Sequence, residues 1–212
     1  AGGRGKVSLL RRIINRGEEA VNEGMEVFVR VCPRPIMALI AKVLFWPTLW
    51  WNQLLKSEKP GAVKRNWFDR VDDHVLLGAL PYAKLVPKLK DEGVTHVLNM
   101  VAEWGGPVKE YQAASIEQRR VPVIDFTPPS VADIEQASAY INTVVEKGGT
   151  VYVHCKAGRG RAASAVMGFL IRYRGMTPLE AQNMLMGKRP HILHVLHARP
   201  VMQEFFQQFG NA

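Results

Sequence analysis

Cysteine is scarce in this chain, whose 212 residues contain only Cys32 and Cys155. So distant a pair builds no disulfide framework, and its absence suits a reducing compartment in which a thiol stays available for chemistry. Acidic side chains are also short, nineteen Asp and Glu against twenty-eight Lys and Arg. The imbalance is local: residues 1–66 hold twelve basic against five acidic side chains, whereas 67–212 hold sixteen against fourteen. A basic chain invites a nucleic-acid reading. This basic arm, however, interleaves its charges with an apolar run rather than with a base-stacking surface, so no nucleic acid is expected as partner. That run, Pro35–Trp51 (PIMALIAKVLFWPTLWW), carries one charge, Lys42. As a helix it spans about 25 Å, short of a hydrocarbon core of about 30 Å, and Pro47 is expected to kink or end it. Trp46, Trp50 and Trp51, with flanking basic residues, are what a shallow or re-entrant membrane segment needs. A helix buried against the rest of the chain, or against a protein partner, is the other reading.

What is present is concentrated in Val151–Ser164, VYVHCKAGRGRAAS, where His154-Cys155 is followed by Gly158, Gly160 and Arg161. Thr150–Val153 reads as a buried strand and Ala162–Arg172 as a helix, so the residues between them form a tight loop at a helix N-terminus. Such a loop points backbone N–H groups at one spot. The amides of Lys156, Ala157, Gly158, Arg159, Gly160 and Arg161 are expected to ring a tetrahedral dianion, with the positive end of the helix dipole behind it. Gly158 and Gly160 are read as supplying positive φ values for the curl. Arg161 offers a planar fork for two phosphoryl oxygens. Cys155 lies in the same field, which favours the nucleophilic thiolate, and attack on a phosphate ester would give a phosphocysteine. His154 is assigned a supporting hydrogen bond to the loop.

A proton donor for the leaving oxygen is also needed. Asp125, in RVPVIDFTPPS (Arg120–Ser130), follows a strand-like run and opens a Pro-rich loop. Asp133 is the rival, but Ser130-Val-Ala-Asp133 has the form of an N-cap with an acidic residue in the first helical turn. Asp125 is therefore preferred.

H-C-x-x-G-x-x-R resembles the signature of the cysteine-dependent protein-tyrosine-phosphatase superfamily, in its small dual-specificity branch. The resemblance implies Cys155 as nucleophile, Arg161 as phosphate ligand and an aspartate some thirty residues upstream as acid, which suits Asp125. In one respect the chain departs from the family. The family places Ser or Thr after the arginine, where the hydroxyl helps the thiolate leave, and here that residue is Ala162, with Ser164 two positions on. Asn66–Pro81 (NWFDRVDDHVLLGALP) is similar to the opening of the mitochondrial members that act on phosphatidylglycerophosphate. Val101–Tyr111 (VAEWGGPVKEY) stands where they carry an acidic loop, matched loosely by Glu103 and Trp104, and Gly187–Leu193 (GKRPHIL) resembles their late Arg-Pro turn.

These readings together predict an α/β fold, a mainly parallel sheet flanked by helices over residues 66–212, preceded by a basic arm, 1–65, with a helical apolar segment. Strands are expected near 74–79, 95–100, 117–123 and 150–154. The resemblance implies a lipid phosphatase of cardiolipin and phosphatidylglycerol synthesis, with an acidic phospholipid substrate and no cofactor. Lys156 and Arg159 are read as extra positive charge for such a head group. A slow or non-catalytic subunit of a mitochondrial membrane complex, and a phosphoinositide or phosphoprotein phosphatase, stay open as alternatives. The Arg-rich, initially acid-free stretch from Ala1 to Arg16 fits the end left by transit-peptide removal or a trimmed boundary. With the resemblance, it points to mitochondria and their inner membrane. His191, His194 and His197 recur every three residues, but no carboxylate pattern accompanies them, and they are read as loop residues rather than a metal face.

Overall fold

The structure is a computed structural model and describes residues 32–54 and 66–210. The remainder of the predicted arm, 1–31 and 55–65, lies outside the described residues. Strands β1 (Phe68–Arg70), β2 (Val75–Gly78), β3 (His96–Val101), β4 (Glu117–Val123) and β5 (Val151–His154) form one sheet in the order β1-β2-β5-β3-β4. β1 is antiparallel to β2 and every other pairing is parallel. The four longer strands lie where the alternation of apolar runs and turn residues put them. β1 is an addition, a three-residue edge too short to be seen as a pattern.

Helix α1 (Arg34–Leu54) precedes the sheet. α2 (Val86–Asp91), α3 (Val108–Ala113), α4 (Val131–Glu146), α5 (Arg161–Arg174), α6 (Pro178–Lys188) and α7 (Pro200–Phe209) follow in chain order. β2 and β5 are buried along their whole length because both sheet faces are covered. On one face Leu76, Val97 and Tyr152 meet Val86, Leu89, Tyr111 and Ile116 from the α2 and α3 side. On the other, Leu77, Leu98 and Val153 meet Ile134, Ile141, Val166, Phe169 and Phe205 from α4, α5 and α7. Residues 161–171 of α5 are all buried, so the helix that follows the cysteine loop is held from every side. Capping boxes at Ser130–Asp133 and Thr177–Glu180 start α4 and α6.

Pro47 does not end α1, which continues to Leu54. The missing N–H of a proline frees only the carbonyl four residues back, and packing fixes the helix on both sides of it. Met37, Ala41, Phe45 and Leu49 are buried at four-residue spacing, and Phe45 and Leu49 join the main core cluster. The opposite face exposes Ile36, Leu39, Val43 and Trp46. Trp50 and Trp51 belong to the same helix, but the placement of their side chains lies outside the described residues. Among the described residues no helix is long and apolar enough to cross a membrane.

Because Leu49 is sealed in the core, Leu49→Ala is expected to lower the unfolding free energy by about 3 kcal/mol. A lower urea midpoint at unchanged m-value would show that α1 unfolds together with the sheet.

Candidate active site

The carboxyl ends of the parallel strands converge, and each delivers one part of the site. β5 ends at His154 and hands over directly to Cys155, which is 3% exposed. The loop from Cys155 to Arg161 is shaped by what holds its carbonyls. Lys156 O accepts from Leu80 N at 3.2 Å and Arg159 O from Leu193 N at 3.1 Å. Ala157 O accepts from Arg189 Nη2 at 3.2 Å and Gly158 O from Arg189 Nε at 2.9 Å. In a trans peptide the N–H points opposite to the C=O. Four carbonyls tied outward therefore turn the amides of Ala157, Gly158, Arg159 and Gly160 inward. One of them, Gly158 N–H, lies 3.2 Å from Cys155 Sγ.

Arg189, 1% exposed, completes its fork on Asp69 Oδ2 at 2.6 Å and Asn66 O at 3.2 Å. Two sequence segments singled out only by resemblance thus meet behind the loop: Asn66–Arg70 supplies the carboxylate and the late Arg-Pro turn supplies the guanidinium. Trp67 Nε1 donates to Leu80 O at 2.9 Å and fixes the same edge.

Gly158 has φ 66°, and a Cβ there would come within 2.4 Å of Gly78 O. Only glycine serves at that turn. Gly160 does not share this role. Its φ is −115°, so the expected positive φ is absent, and what a Cβ would meet is Leu193 Cδ1 at 3.1 Å.

Arg161 is 5% exposed and projects toward the ends of β3 and β4. Its Nη1 donates to Val123 O at 2.7 Å and Glu103 Oε2 at 3.3 Å, and its Nη2 to Asp125 Oδ1 at 2.7 Å. Burial works against the guanidinium charge, but the negative groups facing it, Asp125 first, then Cys155 and Glu103, outweigh it and hold the pKa above its ordinary value. Glu103 also accepts from Asp125 N at 2.7 Å, so one glutamate braces both the arginine and the aspartate. Sequence alone matched Glu103 only loosely and gave it no task.

Asp125 therefore stands beside the fork of the loop arginine. Asp133 instead caps α4, with Oδ2 accepting from Ser130 N at 2.9 Å, as its position after Ser130 predicted. Lys156 is 4% exposed and turned away from solvent, its Nζ 2.8 Å from Asp125 Oδ2. Arg159 Nε donates to His191 O at 2.8 Å. Among the described residues no three His, Cys, Asp or Glu side chains are grouped to hold a metal.

His154 lies fully buried, stacked on Tyr152 with ring centroids 5.7 Å apart, and Nδ1 stands 3.2 Å from Cys155 O. Burial pushes its pKa down to about 3, so it is neutral, and the tautomer with hydrogen on Nδ1 makes the bond to the loop.

The chain belongs to the dual specificity phosphatase family, whose catalytic-domain model matches residues 75–208. Within it, the chain is 36% identical over 175 residues to the phosphatidylglycerophosphate phosphatase PTPMT2 of Arabidopsis thaliana, covering 81% of this chain and 75% of that one. It is 35% identical over 180 residues to the phosphatidylglycerophosphatase and protein-tyrosine phosphatase 1 of Homo sapiens, covering 80% and 87%. The crystal structure of PTPMT1 in complex with PI(5)P matches with a TM-score of 0.61 at 33% identity, over 69% of this chain and 96% of that one. The chain is thus a phosphatase of the cysteine-dependent class.

A histidine that stays neutral in the fold but titrates near 6.5 when unfolded lets the unfolded chain bind the extra proton. Stability is therefore full above about pH 6.5 and is lost as pH falls toward 3. The loss from pH 7 to pH 5 is expected to be about 2 kcal/mol. Urea midpoints of the wild type and His154→Gln at the two pH values isolate it, since the variant should lack this part of the slope.

Proposed function

We propose that this chain hydrolyses the phosphate monoester of phosphatidylglycerophosphate at the surface of the mitochondrial inner membrane. The observation that carries the chemistry is the inward-turned amide ring beside Cys155 Sγ, with Arg161 and Asp125 joined at its mouth. The names of the relatives supply the substrate.

In this reading Cys155 Sγ attacks phosphorus and the bond from phosphorus to the glycerol oxygen breaks. The loop amides of residues 156–161 and the Arg161 fork hold the equatorial oxygens, where charge is spread in the transition state. Asp125 gives its proton to the departing oxygen. It then takes a proton from water as that water attacks the phosphocysteine, releasing inorganic phosphate and restoring the thiolate. His154 keeps the loop in place and, being neutral, gives no charge to the site.

Helix α1 provides the membrane contact. Its exposed face pairs Ile36, Leu39 and Val43 with Trp46, which is 58% exposed. A short helix with one apolar face outward and an interfacial tryptophan lies in a bilayer surface rather than across it. The basic surplus of residues 1–66 complements acidic phospholipids. A membrane-protein complex is the other occupant this face could take. The PI(5)P complex of a relative favours a phosphoinositide as second substrate.

Phosphate release from phosphatidylglycerophosphate, phosphoinositides and a phosphopeptide, measured side by side, decides the substrate. Release from phosphatidylglycerophosphate should exceed the others, be inhibited by vanadate and vanish in Cys155→Ser. Full activity in that variant would rule out the phosphocysteine. Ala162 is fully buried on the first turn of α5, where the family carries a hydroxyl. Ala162→Ser is therefore expected to speed hydrolysis of the phosphoenzyme several-fold, about 1 kcal/mol of barrier, seen as a smaller burst and a faster steady state. Absence of release from every substrate, even in Ala162→Ser, would favour a binding subunit instead.

A further inference from the structure

Helix α1 reaches the catalytic residues as well as the surface. The Thr48 hydroxyl donates to Leu44 O at 2.5 Å, which leaves its oxygen free to accept a hydrogen bond from Lys156 Nζ. The same ammonium is 2.8 Å from Asp125 Oδ2. It also lies over the Phe45 ring, 5.1 Å from the centroid, and over the Phe126 ring at 5.5 Å. With Oδ1 on Arg161 and Oδ2 on Lys156, both oxygens of Asp125 are fixed. The next residue, Phe126, holds φ at 64°, a conformation strained for a bulky side chain that needs surrounding contacts to maintain it.

A lysine 4% exposed cannot rely on water. Its N–H groups need acceptors in the protein, and the aromatic faces add to their hold on the cation. Among the described residues, Thr48 and Phe45 are the α1 contacts to this ammonium that reach it from outside the loops of the sheet.

We infer that Thr48 is a positioning residue for Asp125, acting through Lys156, so that the apolar N-terminal helix forms part of the catalytic apparatus. The inference rests on Asp125 being the proton donor, as proposed above. Removing the Thr48 acceptor leaves one Lys156 N–H without a partner and takes away a contact that fixes where the ammonium, and with it Asp125 Oδ2, stands. Once the Arg161 fork turns to the phosphoryl oxygens, as proposed above, Oδ1 is left to carry the proton and Lys156 on Oδ2 is the cation that still holds the carboxyl. Loosening it misaligns the donor, and small misplacements of catalytic groups are costly.

Proton donation matters in proportion to the basicity of the leaving oxygen. An alkoxide needs it, whereas a resonance-stabilised aryl oxide departs without it. The full chain and its Thr48→Val, Thr48→Ser and Asp125→Asn variants are compared on glycerol phosphate and 4-nitrophenyl phosphate. The parameter is kcat/KM, which covers the steps through leaving-group departure and is not masked by slow phosphoenzyme hydrolysis. Thr48→Val should lower the alkyl-to-aryl ratio by about tenfold, Thr48→Ser should restore it, and Asp125→Asn should lower it further. If the second methyl of valine disturbs the helix, Thr48→Ala carries the same comparison. Equal losses on the two esters, no loss, or failure of serine to restore the ratio overturns the inference while a low ratio in Asp125→Asn leaves the proton donor standing. An unchanged ratio in Asp125→Asn removes the proton donor and the inference together.

Discussion

The hold on the loop carbonyls is the constraint from which the rest of the site follows. A ring of amides facing one another is unfavourable unless something outside takes the opposite ends of the same peptides. Here Leu80, Leu193 and above all Arg189 do so, and Asp69 fixes Arg189 in turn. The positive charge of Arg189 is thus used behind the loop and that of Arg161 in front of it. A guanidinium suits both places because its planar fork serves several acceptors at once.

Residues adjacent in sequence were legible, and residues brought together by the fold were not. The strand, loop and helix around Cys155 could be read because the chemistry is local, and the capping role of Asp133 because the four residues Ser130–Asp133 suffice to define it. Glu103 faces Arg161 across 58 positions, and a lone glutamate in a glycine-rich loop gives no sign of its partner. The same limit applied to Thr48, 108 positions from Lys156. Where the local reading failed, it judged one residue by its general tendency. Pro47 sits inside a helix because core contacts on either side outweigh one lost hydrogen bond, and Gly160 keeps negative φ because Leu193, not the curl, sets its need for a small residue. Arg189 was visible as part of a motif, but its task required knowing that Asp69 and the loop carbonyls lie on the same side.

Lys156 illustrates how burial changes the meaning of a charge. In sequence it adds to the positive potential of a phosphate loop. In the fold it is shielded from solvent and paired with the carboxylate that must act as an acid. His154 differs again, because burial leaves it neutral while the hydrogen bond to Cys155 O keeps it in register. Neighbours in sequence on either side of the nucleophile, one is held by a carboxylate and the other is left neutral by burial.

The strand that carries the nucleophile is the last in sequence yet lies between β2 and β3. During synthesis, the edges of β2 and β3 that will face β5 therefore wait without a ladder partner while the intervening chain is made. Open edges of this kind are where chains pair wrongly with one another. Insertion of β5 closes both edges and, in the same movement, brings Cys155 to the carboxyl ends of its neighbours. Closing the sheet and placing the nucleophile are thus one event, and the loop around it is finished only when Arg189 and Leu193, later in the chain, take its carbonyls.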